Sequence, residues 1–365
     1  MSDNSHRYCL IMAGGAGKRF WPVSRRERPK QFVPVRELGG KTLLRHTYDR
    51  FSKVVPPENV LVITTSRYTP FVRDILPELS ADNLIVEPYI RDTAPCLTYA
   101  MYKLLLRDPQ ATVVVTPSDH LLHDLRSFVY TLHHAMNYAS THDELIVLGT
   151  EPTRPDTNFG YIQKARGSAS QKPPFKVKTF TEKPDAQLAK VFVDSGEFLW
   201  NAGVFIWNVK TIQEEIEACM PLLASQFEGW RKVFGTSREK KFVEKVYGGC
   251  ERQSIAYGIL ERSRRVSVYP AHYRWDDIGE WQTYYDMMSD RDPRGNVHRC
   301  ALAIPRDSQG NLLVTTGTDK IIAVQGLDNF MVVDTEDVLL ICPKDAETYK
   351  KFVSFVNDSL PEKYK

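Results

Sequence analysis

The sequence predicts an α/β protein, with a mostly parallel sheet flanked by helices and a smaller β-structure at the C-terminal end. Three observations predict it. In the first half, short β-branched runs alternate with segments of helical periodicity. After a polar stretch at 289–296, "SDRDPRGN", short apolar runs recur at near-even spacing. At 365 residues the chain is too long for one small core and long enough for two domains, divided here as 1–290 and 291–365.

The strands "YCLIM" (8–12), "VLVIT" (60–64), "LIVE" (84–87), "TVVVT" (112–116) and "LIVLG" (145–149) are continuous apolar runs, as expected where both faces of a sheet are covered. Between them Thr42–Phe51, Tyr68–Leu76, Ala94–Leu106 and Arg126–Ala139 each carry one apolar face. Ligands of such sheets sit beyond the carboxyl ends of the strands, which groups the 13–30 loop, the 88–94 turn and "PSDH" (117–120) around one crevice. Further on, "GYIQ" (160–163), "VKTFTE" (177–182) and "AGVFIW" (202–207) read as strands. A helix over 185–194 would put Leu188, Val191 and Phe192 on one stripe with Asp185 as cap. Val209, Ile212, Ile216 and Cys219 repeat at helical spacing. Past 311, "LLVT", "IIAV", "FMVV" and "VLLI" are short strands, and Ala346–Asn357 reads as a closing helix.

Composition is that of an ordinary globular protein, with 42% apolar and 25% charged residues. A net charge of +3 gives no reason to expect nucleic-acid or membrane binding, so any cationic cluster is local. The six cysteines form no C-x-x-C pair and read as reduced thiols of a cytoplasmic protein. No apolar run reaches 18 residues, and "YCLIM" is too short for a signal-peptide core.

The first strand runs into "MAGGAGKRFWPVSRRERPKQF" (12–32), where glycines adjoin a series of lysines and arginines. Bare backbone N–H groups after a strand can point at an anion. A Walker loop is excluded, because Gly17-Lys18 is followed by Arg19 rather than Ser or Thr. A dinucleotide fingerprint is excluded too, since Phe20 stands where its third glycine belongs. What remains is G-G-x-G-x-R followed by Pro29-Lys30. Arg19 can fork onto phosphate oxygens, and Lys30 can supply a point charge. Taken alone, the glycines fit a tight turn beside a solvated basic stretch equally well.

This segment resembles the opening of the mannose-1-phosphate guanylyltransferases, which are sugar-phosphate nucleotidyltransferases. The resemblance continues in order through "EPYIRDTAP" (87–95), "PSDH", "PTRPDTNFGYI" (152–162), "TEKP" (181–184), "FLWNAGVFIW" (198–207) and "WDDIGEW" (275–281). It implies a Rossmann-like core with a C-terminal left-handed β-helix-like segment. It also implies transfer of GMP from GTP to mannose 1-phosphate, giving GDP-mannose and pyrophosphate. By the same resemblance Ala13, Gly14, Gly15, Gly17 and Lys18 face the nucleotide, and Arg19 and Lys30 grip its triphosphate. Glu87, Asp92, Thr93 and Ala94 fall at the base. Guanine offers donors at N1 and N2, which Glu87 or Asp92 can accept; the family usually has Asn at Asp92, and Asp92-Thr93 also reads as a helix cap.

Gly160, Tyr161, Glu182 and Asn201 match the sugar-binding positions, and Lys183 the sugar phosphate. Asp119 and Asp277 match the carboxylates that hold Mg²⁺, a hard ion preferring oxygen; Asp276 is an adjacent alternative. Zinc is the lesser alternative for "SDHLLHD", where His120, His123 and Asp124 accompany Asp119. Trp200, Trp207, Trp275 and Trp281 read as packing residues. Relatives also imply a homodimer through the C-terminal region. Three other functions stay open: the same reaction on another hexose or heptose 1-phosphate, a glycosyltransferase consuming a nucleotide sugar, and a non-catalytic sensor.

Overall fold

The computed structural model describes residues 4–15, 17–122, 124–165, 172–273, 275–277, 279–317 and 319–365. For Lys18, Glu37, Trp275, Asp276, Asp277 and Asn357 it describes the backbone alone. His123, and the side chains of Lys18, Trp275, Asp276 and Asp277, therefore lie outside the described residues. The chain divides into two compact units: one of 1–14, 45–118 and 122–275, the other of 15–44, 119–121 and 276–365. Compactness thus does not follow a single cut near 290. It changes unit between Gly14 and Gly15, inside the glycine loop, and again between Ser118 and Asp119.

The elements follow in chain order. They begin β1 (Arg7–Met12), α1 (Leu43–Phe51), β2 (Val60–Thr65), α2 (Thr69–Ile75), β3 (Leu84–Glu87), α3 (Thr93–Arg107), β4 (Thr112–Pro117), β5 (His120–Leu122), α4 (Leu125–Ala139) and β6 (Leu145–Thr150). Then come β7 (Tyr161–Lys164), β8 (Phe175–Thr181), α5 (Ala186–Ser195), β9 (Phe198–Asn208), α6 (Val209–Cys219), α7 (Pro221–Gln226), α8 (Glu239–Gly249), β10 (Val266–Pro270), β11 (Trp275–Asp277) and α9 (Trp281–Met287). The chain closes with β12 (Val297–Arg299), β13 (Leu302–Arg306), β14 (Leu312–Thr315), β15 (Ile321–Gln325), β16 (Phe330–Asp334), β17 (Leu339–Pro343) and α10 (Ala346–Ser359).

The first unit is built on one sheet in the order β3-β2-β1-β4-β9-β6-β10-β8-β7. It is parallel across β3-β2-β1-β4 and mixed beyond, where β9 runs antiparallel to β4, β6 and β7. β2 and β6 are buried at every residue, as apolar strands covered on both faces must be. Because β1, β3 and β4 are parallel, their carboxyl ends share one edge, where Gly14, Glu87 and Ser118 follow or end the strands. Across that edge Ser118 N donates to Met12 O at 3.1 Å.

α5 corrects the expected stripe. Asp185 does cap it, accepting from Leu188 N at 2.8 Å. However, Leu188 is 39% and Val191 60% exposed, whereas Ala189 is fully buried and Phe192 stacks on Phe198 at 4.0 Å. The aromatic face made by Tyr161, Phe198 and Trp200 attracts the Ala189–Phe192–Val193 side of the helix. An apolar stripe does not say which of two neighbouring stripes finds a partner.

In the second unit, β12, β14 and β16 stack in parallel beside the parallel pair β13 and β15, giving a β-helix-like segment. β12 and β13 are strands that hydrophobic runs did not reveal. The polar stretch expected as a linker is instead an ordered turn. Asp292 accepts from Arg294 N and Asn296 N, and Asn296, fully buried, accepts from the Asn311 amide at 2.9 Å. Stacked rungs put like residues in register, which lets buried amides satisfy one another. Six free thiols are present, four of them buried. Among the described residues no helix is long and apolar enough to cross a membrane.

Candidate active site

The first unit carries the residues expected at base and sugar. Ala13 spends its backbone on β2: its N–H donates to Ile63 O and its carbonyl accepts from Thr64 Oγ1. A methyl group on Gly14 would stand 3.6 Å from Glu87 Oε2, so the loop runs directly past that carboxyl. Glu87 ends β3 and is 5% exposed; its Oε1 accepts from Tyr247 O–H at 2.8 Å. Burial pushes its pKa up to about 7, against the lowering effect of hydrogen bonds from Tyr247 and Cys96.

Asp92 is the cap of α3. Its Oδ1 accepts from Thr93 N at 2.7 Å, and its φ of 68° with ψ of −173° is a backbone state costly for any residue but glycine. Thr93 Oγ1 accepts from Ile255 N, and Ala94 N donates to Gln253 O. The polar groups of these two residues therefore hold the 253–255 loop.

At the sugar end, Gly160, Glu182 and Asn201 converge. A methyl group on Gly160 would meet Glu182 Oε2 at 2.5 Å and Asn201 Cβ at 3.3 Å, so any larger residue here would push the Glu182 carboxyl aside. Glu182 Oε2 is buried and has no hydrogen-bond partner among the described residues. Burial raises the Glu182 pKa, and Lys183, with Nζ 3.7 Å from Oε1, partly offsets this. A buried, unsatisfied carboxylate oxygen is an acceptor suited to a hydroxyl donor. Asn201 directs its Oδ1 to Gly203 N at 2.9 Å. Lys183 is exposed and has φ of 46°, so among the described residues two of the four non-glycine residues with positive φ are expected site residues. The Tyr161 side chain faces away from this cluster: its hydroxyl donates to Asp156 O. Only its backbone can serve the sugar.

The second unit carries the residues expected at phosphate and metal. Gly17 has φ of 58°, and a methyl group there would lie 2.6 Å from Ser24 Oγ and 3.1 Å from Lys30 Cγ. The glycine is thus needed twice over, for its backbone state and for the passage of the Lys30 stem. Ser24 Oγ accepts from Lys30 N, and the Gln31 side chain donates to Gly15 O at 2.8 Å. The loop closes on its own Pro-Lys-Gln segment, which explains the spacing between the two. Lys30 is 6% exposed, and its ammonium pairs with Asp119 Oδ2 at 2.9 Å. Burial works to raise the Asp119 pKa, but Lys30, His120 and Arg19 outweigh it and hold the carboxyl below its ordinary value. Arg19 is exposed on a single 3₁₀ turn.

Strand β5, which follows Asp119, pairs with β11, which ends at Asp277. The two expected metal ligands thus adjoin or end strands of the same two-stranded sheet. Among the described residues no three His, Cys, Asp or Glu side chains gather tightly enough to hold a metal; the Asp277 side chain is not among them.

Not every cation of the 18–30 stretch is available to a ligand. Arg25 forks onto Asp337, and Arg26 pairs with Glu362 at 3.0 Å. Trp200, Trp207 and Trp281 are buried packing residues, as expected. Tyr247, which holds Glu87, was not foreseen, because nothing local links two residues so far apart. Gln31 was legible only as a letter of the Pro-Lys-Gln-Phe segment, and Ser24 had no signal of its own.

A strand, a glycine turn closing on a buried lysine, and an ionised aspartate after a parallel strand are the apparatus of a phosphate-handling α/β enzyme. The chain belongs to the nucleotidyl transferase family, whose model matches residues 8–292; a second model, the MannoseP isomerase/GMP-like beta-helix domain, matches 303–354. It is 32% identical over 356 residues to the mannose-1-phosphate guanylyltransferase of Salmonella muenchen, covering 95% of this chain and 72% of that one. It is 30% identical over 360 residues to the alginate biosynthesis protein AlgA of Pseudomonas fluorescens, covering 96% and 71%. A crystal structure described as a mannose-1-phosphate geranyltransferase from Thermus thermophilus superposes with a TM-score of 0.84 at 30% identity, covering 96% of this chain and 99% of that chain.

Proposed function

We propose that this enzyme transfers GMP from GTP to mannose 1-phosphate, releasing pyrophosphate and forming GDP-mannose. The observation that carries the proposal is the pairing of the buried Lys30 with Asp119 behind the Gly17 turn, in a chain 32% identical over 95% of its length to a mannose-1-phosphate guanylyltransferase. A sugar phosphate is already mostly dianionic at neutral pH, its second pKa being about 6, so its oxygen needs no general base. That oxygen attacks the α-phosphorus, the bond to the β-phosphate oxygen breaks, and the electron pair leaves with pyrophosphate. What the protein supplies is charge and position. Arg19 and Lys30 hold the triphosphate, Gly14, Gly15 and Gly17 offer backbone, and Lys183 meets the sugar phosphate. Glu182 Oε2 and Asn201 take sugar hydroxyls.

Asp119 and Asp277 would hold Mg²⁺. The ionised Asp119 carboxylate suits a hard ion, and Asp277 ends the strand paired with β5. Bound there, the ion would neutralise charge on the triphosphate. A pyrophosphate-release assay crossing four nucleoside triphosphates with several sugar 1-phosphates tests the reading. GTP with mannose 1-phosphate is expected to be fastest; no pyrophosphate, or a clear preference for another pair, would overturn it.

Glu87 is the group assigned to guanine, because its Oε2 lies beside Gly14 while Asp92 caps α3 through Oδ1. To accept from guanine N1 and N2 the carboxyl must be ionised. With its pKa at about 7, kcat/KM for GTP is expected to rise as pH increases through 7, and Glu87→Gln should flatten that limb. The raised pKa also sets the sign for stability. The folded state favours the protonated acid, so stability falls between the ordinary glutamate pKa and about 7. Above that range Glu87→Gln should be more stable than the parent protein by ~1–3 kcal/mol. A pH–rate profile unchanged by the substitution would remove Glu87 from this role.

We also assign the C-terminal strands to a homodimer interface. Leu302 and Ile321, opposite one another on β13 and β15, are 51% and 59% exposed, and Leu339 on β17 is 61% exposed. Sedimentation showing a monomer at micromolar concentration would refute this. The free thiols support a cytoplasmic location, which cell fractionation would check.

A further inference from the structure

The stretch between Arg19 and Lys30 has little regular structure of its own. It begins and ends on single 3₁₀ turns, Lys18–Phe20 and Lys30–Phe32. Its middle is tied to the C-terminal part of the chain. Trp21 O accepts two buried hydrogen bonds, from Tyr349 O–H on α10 at 2.6 Å and from Trp281 Nε1 on α9 at 2.8 Å. Trp21 Nε1 donates to Tyr364 O, and Arg26 N to Lys365 O, both at 2.7 Å. Arg25 forks onto Asp337 at 2.7 and 2.5 Å. Phe20 stacks on Trp281 with centroids 3.9 Å apart. Arg19 itself borders a cavity of about 220 Å³ that Tyr349, Lys350 and Val353 of α10 also line.

These ties fall two residues after Arg19 and four to five before Lys30. Trp21, Tyr349 and Trp281 are each at most 5% exposed, so the bonds between them are shielded from water, where a lost partner is costly. A loop that must place two cations on a triphosphate gains from such fixing, because an error of about 1 Å at a reacting group can cost on the order of 10²-fold in rate. We propose that α10 and residues 361–365 act as a clamp that sets the position of Arg19 and Lys30. Tyr349 is a positioning residue working through Trp21 O, and the Tyr364 carbonyl one working through Trp21 Nε1. The clamp rests on the phosphate-gripping role given above to Arg19 and Lys30.

Tyr349→Phe removes only the hydroxyl, and Trp21→Phe removes the indole donor together with the five-membered ring that carries it while keeping an aromatic ring. Each is expected to lower kcat/KM for GTP roughly 10-fold, about the value of one shielded hydrogen bond, and the double variant about 10²-fold. KM for mannose 1-phosphate should not change, and the melting temperature should stay within a few degrees of the parent. A folded double variant with unchanged kcat/KM for GTP would overturn the clamp. So would a loss that tracks the unfolded fraction and weakens both substrates equally, which is what a merely structural role would give. If the parent protein releases no pyrophosphate from GTP and any sugar phosphate, the functional reading fails instead. Calorimetric binding of GTP to parent and double variant then decides the clamp, with equal affinities overturning it.

Discussion

Lys30→Ala is expected to lower kcat/KM for pyrophosphate release by about 10²–10³, the usual cost of removing one fixed charged donor from a transition state. Lys30 is nearly buried, and its stem runs against Gly17, so its ammonium reaches the site along a fixed path. A fixed charge needs no reorganisation as the triphosphate gains charge, which is why its loss shows in kcat. Lys30→Arg should rescue poorly. The guanidinium keeps the charge, but a longer and broader side chain does not fit the passage that only glycine leaves open at position 17. Removing Lys30 also removes the cation that holds the Asp119 carboxyl low. In the parent protein that interaction stabilises the fold above the ordinary aspartate pKa, and the benefit disappears as pH falls through the lowered folded value. The variant should therefore lose stability at neutral pH and show a weaker acid limb. Single-turnover pyrophosphate release and melting at pH 7 and pH 3 read both effects. An unchanged rate would refute the assigned role.

Asp119→Asn is expected to have an effect at least as large, on the order of 10³-fold in kcat, because a hard cation contributes several kcal/mol of charge stabilisation in such reactions. The substitution keeps the shape of the side chain and removes its charge. Its specific signature is a shifted Mg²⁺ titration: the concentration giving half-maximal rate should rise, and saturating Mg²⁺ should recover part of the loss. A purely structural aspartate would lower the rate without moving the Mg²⁺ midpoint. An Asp119→Asn enzyme with the parent's Mg²⁺ midpoint and rate would end the metal assignment. Mg²⁺ binding followed by calorimetry without substrate gives the same comparison independently of turnover.

Much of the fold was legible because the signals are local. The runs at 60–64, 112–116 and 145–149 are buried on both sides, and continuous apolar runs have few other uses. Asp185 caps α5, a preference expressed within three residues of chain. β10 was not legible, although it lies in the sheet between β6 and β8. Its "VSVYP" is short and follows a charged turn, and what makes it a strand is the edge of β6 waiting for a partner. α5 shows the same limit from the other side: its helical character was plain, but the face it buries depended on the aromatic residues of β7 and β9.

The sequence by itself determined the strand–helix alternation, the glycine loop, the Gly17-to-Lys30 spacing, and the order of motifs that marks the family. These depend on backbone geometry and near neighbours, which repeat wherever the same residues do. Only the tertiary structure decided that Lys30 faces Asp119, that Tyr247 holds Glu87, and that Arg25 and Arg26 are held by Asp337 and Glu362 rather than left for a ligand. Each of these pairs joins side chains far apart in the chain. The cost of closing such a loop grows so slowly with its length that spacing carries almost no information about which partner is met. Packing chooses the partner, and packing is a property of the whole folded chain.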